Sequence, residues 1–221
     1  MNYENKQEGY YENVRHDLIR FFNESNKTLK VLEVGAAYGE TLFFLKNSGL
    51  ASEVVGVELF QDTNNLDKYK KLDHFLFGDI QTLDLSKFEN HFDVILLADV
   101  LEHLIEPLPA LEKVKKLLKN EGEIIISIPN IRHYSSFIKI FIKGNFQYED
   151  SGIFDYTHMR FYCQKDIIKL VQKAGFTIEK SEGSIKNYQG KSVAKFFNSL
   201  TFGFFEEFLS VQYFFKIKKT N

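Results

Sequence analysis

The sequence has few of the residues that cross-link or interrupt a chain. Among 221 residues it contains one cysteine, Cys163, and three prolines. A single cysteine excludes an internal disulfide framework and fits a reducing compartment. The scarcity of proline and the lack of low-complexity tracts argue against a long linker. We therefore expect a single domain over residues 1–221.

Long apolar runs and a marked excess of one charge are also missing. No apolar stretch approaches the roughly 20 residues that a bilayer-spanning helix needs, and residues 1–8 lack the apolar core of a secretory signal. The net charge of -2 comes from 28 basic and 30 acidic residues, which gives no general attraction to nucleic acid or to anionic membranes. We expect a cytoplasmic protein without a nucleic-acid partner and without stable membrane insertion.

Apolar patterns typical of strands and of helices alternate along the chain. Strands are predicted at 30–34, 53–58, 74–77, 92–97, 123–128, 176–180 and 211–218. Helices are predicted at 10–22, 40–46, 99–106, 109–119 and 164–174. This alternation indicates an α/β protein with a mostly parallel sheet and right-handed crossovers. No helix follows the last strand, which can therefore pair in the antiparallel direction.

The most informative feature is a glycine-bearing turn after the first strand. Residues 31–39 read Val-Leu-Glu-Val-Gly-Ala-Ala-Tyr-Gly, and an acidic residue, Glu58, ends the second strand. Small residues let the backbone approach a nucleotide-type ligand, and a carboxylate at the next strand tip can bind a ribose diol. A dinucleotide site would need glycines where Ala37 and Glu40 stand, and Glu40 at a helix start would repel a pyrophosphate. The pattern thus argues against a nicotinamide cofactor.

Over roughly residues 10–219 the chain resembles the class I S-adenosylmethionine-dependent methyltransferases. The first motif of that family, an acidic residue and then three glycines at alternate positions, is matched at Glu33, Gly35 and Gly39, with Ala37 in the middle. The resemblance implies a Rossmann-like seven-stranded sheet with an antiparallel last strand, helices on both faces and S-adenosyl-L-methionine as cofactor. The cofactor-binding residues that it implies are Tyr11, Glu33, Gly35, Ala36, Ala37, Gly39, Glu58, Leu59, Gly78, Asp79, Ile80, Ala98 and Asp99.

Three of these residues have distinct roles by resemblance. Glu58 matches the acid that binds the ribose, and Asp79 matches the acid near the adenine amine. Glu33 orders the glycine turn and faces the amino group of the cofactor. Ala37 adds only one methyl group to its slot, so we expect the site to tolerate it unless the position requires a positive φ.

A second signature is more specific. The segments 129–133, 144–148 and 152–161 are similar to a branch of the family found beside glycosyltransferases in surface-polysaccharide pathways, and residues 10–11 and 15–18 also resemble that branch. That resemblance implies O-methylation of a sugar or sugar-linked intermediate in capsule or lipopolysaccharide biosynthesis, with a carbohydrate as the small-molecule partner. Two alternatives stay open. One is methylation of another small molecule, such as a quinone precursor or an amino-sugar nitrogen, and the other is a non-catalytic cofactor-binding partner of a glycosyltransferase.

Methylation of a hydroxyl calls for a general base, a task that suits histidine near neutral pH. His103 and His133 follow strands, where ligands of such sheets lie. His158 has Asp155 nearby to orient its imidazole, and Arg160 nearby to bind an anionic acceptor group. The alternative is that His158 and Arg160 form a polar brace for the insertion.

A metal ion is not expected. Mg²⁺ assists some sugar methylations, and the chain offers Asp99, Asp150 and Asp155 as oxygen ligands. These residues are not spaced as a compact carboxylate cluster.

Three segments flank the predicted sheet: an N-terminal helical segment at 1–28, a helical insertion at 130–162 and an aromatic helical segment at 185–210. The aromatic residues concentrate at 134–148 and 196–208. We favour core packing for both stretches. An acceptor lid, a dock for a lipid-linked substrate and a homodimer face are the other readings.

Overall fold

The computed structural model describes residues 13–22, 28–187 and 193–220. Its centre is a seven-stranded sheet with the order β3-β2-β1-β4-β5-β7-β6. The strands are β1 (Leu29–Val34), β2 (Ala51–Glu58), β3 (His74–Phe77), β4 (Phe92–Ala98), β5 (Leu118–Pro129), β6 (Phe176–Gly183) and β7 (Gln212–Lys219). The first five strands pair in parallel, and β7 runs antiparallel to both β5 and β6. The predicted sheet with an antiparallel last strand is confirmed.

Helices surround the sheet. They are α1 (His16–Ile19), α2 (Glu40–Asn47), α3 (Leu66–Tyr69), α4 (Pro107–Leu117), α5 (Tyr134–Phe137), α6 (Gln164–Lys173), α7 (Val193–Leu200) and α8 (Glu206–Leu209). Short 3₁₀ turns lie at Ser86–Phe88, Leu101–His103 and Ser184–Asn187, and a π-helical turn at Ile138–Ile142 extends α5. Within the described residues no helix is both long and apolar enough to cross a membrane.

The core lies on both faces of the sheet. Alternate residues of β4 point to opposite faces, so Ile95 and Leu97 belong to one apolar cluster while Val94 and Leu96 belong to another. The first cluster includes residues of α4 and α6, and the second includes residues of α1 and α2. Burial on both faces explains why the strand sequences are continuously apolar.

The strand order determines where a ligand can bind. Since β1 lies between β2 and β4, the chain crosses over in opposite directions on the two sides of β1. Ligands of open α/β sheets bind at such a switch point, beyond the carboxyl ends of the strands. The glycine turn follows β1 at this place, and Glu58 ends the neighbouring β2.

Two predicted helices are shorter in the structure. Of the helix expected at 99–106, only the 3₁₀ turn Leu101–His103 forms, because Asp99 has a φ of +54° and α4 begins anew at Pro107. Of the helix expected at 10–22, the described residues contain only α1. In contrast, β5 begins at Leu118, five residues earlier than predicted, and a register shift after Phe92 accommodates the extra length.

The aromatic segments are not core, and this expectation was wrong. The exposed fractions of Phe196, Phe202 and Phe204 are 72%, 100% and 82%, and that of Phe141 is 72%. The Phe208 ring lies near the ring of Phe137, at 6.4 Å between centroids, so the two segments adjoin. Helix in the 130–162 insertion is confined to 134–142. The apolar periodicity of these segments therefore marks an exposed face and not a buried one.

Candidate active site

A cavity of about 520 Å³ opens at the carboxyl ends of β1, β2 and β4. The predicted cofactor-binding residues in its wall are Glu33, Gly35, Ala36, Ala37, Glu58, Leu59, Gly78, Asp79, Ile80, Ala98 and Asp99. Gly39 is not part of the wall, since it packs against Leu72. Tyr11 lies outside the described residues. The structure thus brings the widely separated motif residues together, while their roles as cofactor ligands stay predictions.

The turn after β1 uses three left-handed residues. The φ angles of Gly35, Ala37 and Gly39 are +72°, +51° and +81°. A Cβ atom at Gly35 would lie 3.0 Å from a methyl group of Val100, so glycine is needed there for space as well as for conformation. Ala37 is the one position of the three where a Cβ is present and the backbone is strained. The site was expected to tolerate alanine at position 37 only if φ is negative there, and φ is positive.

Glu58 holds this turn in place. Its Oε2 accepts a hydrogen bond from the Ala37 N–H at 2.9 Å. Its Oε1 accepts from the N–H groups of Leu59 and Phe60 at 2.8 and 3.2 Å. Burial raises the pKa of this carboxyl, and the three backbone donors oppose that rise. A carboxylate can accept about four hydrogen bonds, so Glu58 is fixed in orientation and keeps acceptor capacity for a ligand.

Glu33 presents a buried carboxylate with unused capacity. The residue is 3% exposed, lies in the cavity wall, and its Oε2 has no hydrogen-bond partner among the described residues. Burial, opposed by Arg15 and reinforced by Glu58, raises the pKa of Glu33 to about 8. A buried polar atom without a partner is costly and calls for a donor or a cation. The protonated amino group of S-adenosylmethionine fits that demand.

Arg15 is a site residue to which sequence reasoning assigned no role. Its guanidinium donates from Nη1 to Asp99 Oδ2 at 2.8 Å and from Nη2 to Ser127 Oγ at 3.0 Å. Ser127 Oγ in turn donates to Asp99 Oδ1 at 2.9 Å, and Gln212 Nε2 donates to the same oxygen. These bonds fix the Asp99 carboxylate and place a cation in the wall of the cavity. The sequence signals for Arg15 are its position just ahead of α1 and its place in the segment 15–18, which resembles the surface-polysaccharide branch.

Beyond the motif residues, the wall also contains residues that follow β4 and one residue of the insertion: His103, Leu104, Ile105 and Thr157. His103 is half-buried, and its Nδ1 lies 3.2 Å from the carbonyl oxygen of Thr157. Burial, helped by the neighbouring His158, lowers the pKa of His103. Its imidazole is therefore neutral at physiological pH.

The other two predicted histidines do not line this cavity. His158 is 6% exposed, and its Nδ1 lies 3.0 Å from the carbonyl oxygen of Ile153. His133 caps α5, with its Nδ1 2.7 Å from Ser135 Oγ. Of the three predicted histidines, His103 alone lines this cavity, and the role of each as a base stays a prediction.

Asp155 and Arg160 support the insertion in the way that the brace alternative describes. Asp155 Oδ1 accepts hydrogen bonds from the Thr157 N–H and hydroxyl at 2.9 and 2.7 Å. Arg160 Nε donates to the carbonyl oxygen of Ile105 at 2.8 Å. The carbonyl oxygen of Glu102 also accepts from the N–H groups of residues 159 and 160. These bonds tie the insertion to the loop after β4.

The fold and the cavity together define a class of protein. A mixed sheet with β7 antiparallel between β5 and β6, and a cofactor-sized cavity at its switch point, is the architecture of class I methyltransferases. Residues 6–181 match the model of the family described as methyltransferase domain, and the chain belongs to that family.

Two solved structures share the fold. An S-adenosylmethionine-dependent methyltransferase from Archaeoglobus fulgidus has a TM-score of 0.64 at 18% identity, with 92% of this chain and 91% of that chain covered. The 1,6-didemethyltoxoflavin-N1-methyltransferase of Burkholderia thailandensis, with bound 1,6-didemethyltoxoflavin and S-adenosylhomocysteine, has a TM-score of 0.57 at 16% identity. In that case 88% of this chain and 72% of the other are covered.

A relative in sequence is an uncharacterized protein of Methanocaldococcus jannaschii, 30% identical over 107 residues. The match covers 48% of this chain and 44% of that protein, so the chain spans less than half the length of this relative. Family and fold confirm the predicted enzyme class, an S-adenosylmethionine-dependent methyltransferase, and its cofactor. Neither the family nor the fold shows that the chain belongs to the surface-polysaccharide branch, and this assignment stays a prediction.

Proposed function

We propose that this chain methylates a hydroxyl oxygen of a small acceptor, a sugar or a sugar-linked intermediate of capsule or lipopolysaccharide assembly. The observation that carries the proposal is one cavity with cofactor-type residues in one part of its wall and His103 in another. The acceptor class is supported by the signature at 129–161, which contributes Thr157 to the same wall. Single-domain organisation and a homodimer belong to the same proposal.

Each part of the cofactor has a matching group in the cavity wall. Glu58, preoriented by its backbone donors, accepts hydrogen bonds from the ribose hydroxyls. The unpartnered Oε2 of Glu33 pairs with the amino group, and Asp79 lies at the adenine end, with Oδ1 held by the Gln81 N–H at 2.8 Å. Hydrogen bonds to charged groups contribute about 1.5–3 kcal/mol each. The bound cofactor supplies a methyl group on a positively charged sulfur that becomes neutral on transfer.

The main task of the protein is then positioning. Holding a nucleophile in line with a reactive carbon can lower a barrier by about 7–11 kcal/mol. A hydroxyl also has to lose its proton, and a neutral histidine suits that role. His103 can take that proton because its imidazole is neutral. It is also close enough to act on a hydroxyl beside the cofactor, because it lies in the wall of the same cavity.

A panel of acceptors tests the proposal. Purified protein and S-adenosylmethionine are incubated with nucleotide sugars, an amino sugar and a catechol-type phenol, and methylated products are identified by mass spectrometry. We expect His103→Gln to lower kcat on the sugar by about 100- to 10,000-fold, the range of general-base catalysis, without a change in cofactor Kd. His91→Gln is the control, because His91 pairs with Glu53 away from the cavity wall.

Other results would overturn parts of the proposal. Turnover of the phenol or the amine but not the sugar would reassign the acceptor. Cofactor binding without turnover of any acceptor would favour a non-catalytic partner of a glycosyltransferase. If His133→Gln lowers kcat as much as is expected for His103→Gln, the general base would be His133, at the start of α5.

A further inference from the structure

Three potential metal ligands meet beside the cavity. One carboxylate oxygen of Glu102 and one ring nitrogen each of His103 and His158 all lie within 4.8 Å of one another. We call these residues the Glu-His-His cluster. Two ligands at about 2.1 Å from one ion stand at most about 4.2 Å apart, so small side-chain adjustments suffice to coordinate a common ion.

The Glu102 carboxylate is buried without a partner from another residue in the described part of the chain. It is 1% exposed, and neither of its oxygens has a hydrogen bond to another residue there. Leaving both oxygens unpaired in the interior is costly. A cation among these side chains would remove that cost.

Both histidines are held as metal ligands commonly are. The Nδ1 atoms of His103 and His158 lie 3.2 and 3.0 Å from the carbonyl oxygens of Thr157 and Ile153. A carbonyl accepts only from a protonated nitrogen, so Nδ1 carries the hydrogen and Nε2 is left as the basic atom. Metal-bound histidines usually donate their other N–H to such a carbonyl or carboxylate.

We propose that the Glu-His-His cluster binds one divalent transition-metal cation, such as Mn²⁺ or Zn²⁺. Two imidazoles and one carboxylate suit such ions better than Mg²⁺ or Ca²⁺, which prefer oxygen ligands. Three protein ligands leave coordination positions for an exchangeable group. Because His103 is in the cavity wall, those positions are accessible to the acceptor.

The role of the ion rests on the proposed function. An acceptor hydroxyl bound to the ion would have a lower pKa than a free hydroxyl, because the cation stabilises the alkoxide. The hydroxyl would therefore lose its proton to water more readily. The oxygen electron pair then forms the new O–C bond, while the electron pair of the broken S–C bond stays on sulfur. In the metal-bound protein His103 holds the cation and water takes the proton, which replaces the general-base role that the proposed function gives to His103 in the metal-free protein.

Metal binding can be measured without any acceptor. The chelator-treated full chain is titrated with MnCl₂, ZnCl₂ or MgCl₂ by calorimetry, alongside Glu102→Gln, His158→Gln and the control His91→Gln. We expect one equivalent of Mn²⁺ or Zn²⁺ to bind to wild type and to His91→Gln, with weaker binding of Mg²⁺. Both cluster variants should bind more than about 100-fold more weakly, since even changes behind the ligands cost 10- to 100-fold.

Retained S-adenosylmethionine binding and circular dichroism show that each variant is folded. Absence of stoichiometric Mn²⁺ and Zn²⁺ binding by wild type would overturn the site, as would wild-type affinity in a folded Glu102→Gln or His158→Gln. If metal binds but no sugar is methylated, the site stands and the proposed function fails. If sugar turnover is equal before and after metal removal, the catalytic role of the ion is overturned.

Discussion

At the scale of single residues, Ala37 occupies a backbone conformation that favours glycine. Its φ of +51° strains a residue that carries a Cβ. We expect Ala37→Gly to raise the free energy of unfolding by about 0.5–1 kcal/mol, because the relief of strain exceeds the entropy that glycine adds. Cofactor affinity should change little, since the N–H that donates to Glu58 is kept. Denaturant midpoints measure the first effect and calorimetry the second.

Ala36 provides the matched control. It is 5% exposed and does not share the positive φ of its neighbour. Ala36→Gly should therefore destabilise the fold by about 0.5–1 kcal/mol. Destabilisation by Ala37→Gly as well would mean that the turn does not hold Ala37 in the left-handed region.

The buried Glu33 gives the stability a particular pH dependence. Its pKa is about 8 in the folded protein and ordinary, about 4.3, in the unfolded chain. Between these values the folded state binds more protons, so stability falls as pH rises. The variant Glu33→Gln has no carboxyl at this position and so lacks this pH dependence. As pH rises from about 5 to about 8, wild type should therefore lose up to about 1.4 kcal/mol per pH unit relative to the variant.

Urea unfolding of both cofactor-free proteins across that pH range measures the difference. A difference that stays constant with pH would show that Glu33 is ionised throughout, with a partner for its carboxylate.

Sequence reasoning identified residues by motif and missed residues defined by their surroundings. Glu58 could be predicted because it ends the strand beside the glycine turn, and Glu33 because the resemblance to class I methyltransferases implies an acid at its position. Glu102 could not, since its importance lies in the absence of partners and in its nearness to His158, which is 56 positions away in the sequence. Arg15 likewise gains its role from Asp99, across the sheet.

At the scale of elements, a buried ion pair joins β5 to β7. Lys216 and Glu123 are each 5% exposed, and Lys216 Nζ lies 2.9 Å from Glu123 Oε2. We expect Lys216→Met to cost about 3–5 kcal/mol, because it removes the cation that pairs with the buried Glu123 and the donor to the Phe21 carbonyl oxygen. The double variant Lys216→Met/Glu123→Leu should recover most of that loss. Chemical unfolding of the single and double variants measures both.

Lys218 provides the control on the same strand. Its pair with Glu179 is exposed, with side-chain exposures of 36% and 42%. Lys218→Met should change stability by no more than about 1 kcal/mol. If both lysine variants lose the same stability, the loss would come from removing a positive charge on β7. Burial of the Lys216–Glu123 pair would then not be its cause.

Element prediction succeeded where both faces of a strand are buried. The bounds of β1 and β4 were each correct to one residue, since both strands are continuous apolar runs that are largely buried. It failed for the aromatic helices, whose periodicity resembles that of a core helix although their rings are exposed. Periodicity reports that a helix has an apolar face, and not what covers that face.

At the scale of the whole molecule, the strand order converts separate motifs into one cavity. The turn after β1, Glu58 after β2 and Asp99 after β4 are adjacent only because β1 lies between β2 and β4. The alternation of strands and helices predicted the parallel sheet, whereas the order of its strands is seen only in the structure. The position of the insertion, which brings Thr157 to the cavity and His158 to Glu102, depends on tertiary bonds that no local pattern records.

The central claim is that this cavity binds S-adenosylmethionine through Glu58. Calorimetric titration of the cofactor into wild type, Glu58→Gln and the control Glu53→Gln tests it most directly; Glu53 is on the same strand but pairs with Lys30. We expect saturable binding to wild type and Glu53→Gln, and binding weaker by about 10- to 1000-fold in Glu58→Gln. No heat of binding to wild type at millimolar cofactor, or equal affinity in all three proteins, would contradict the account.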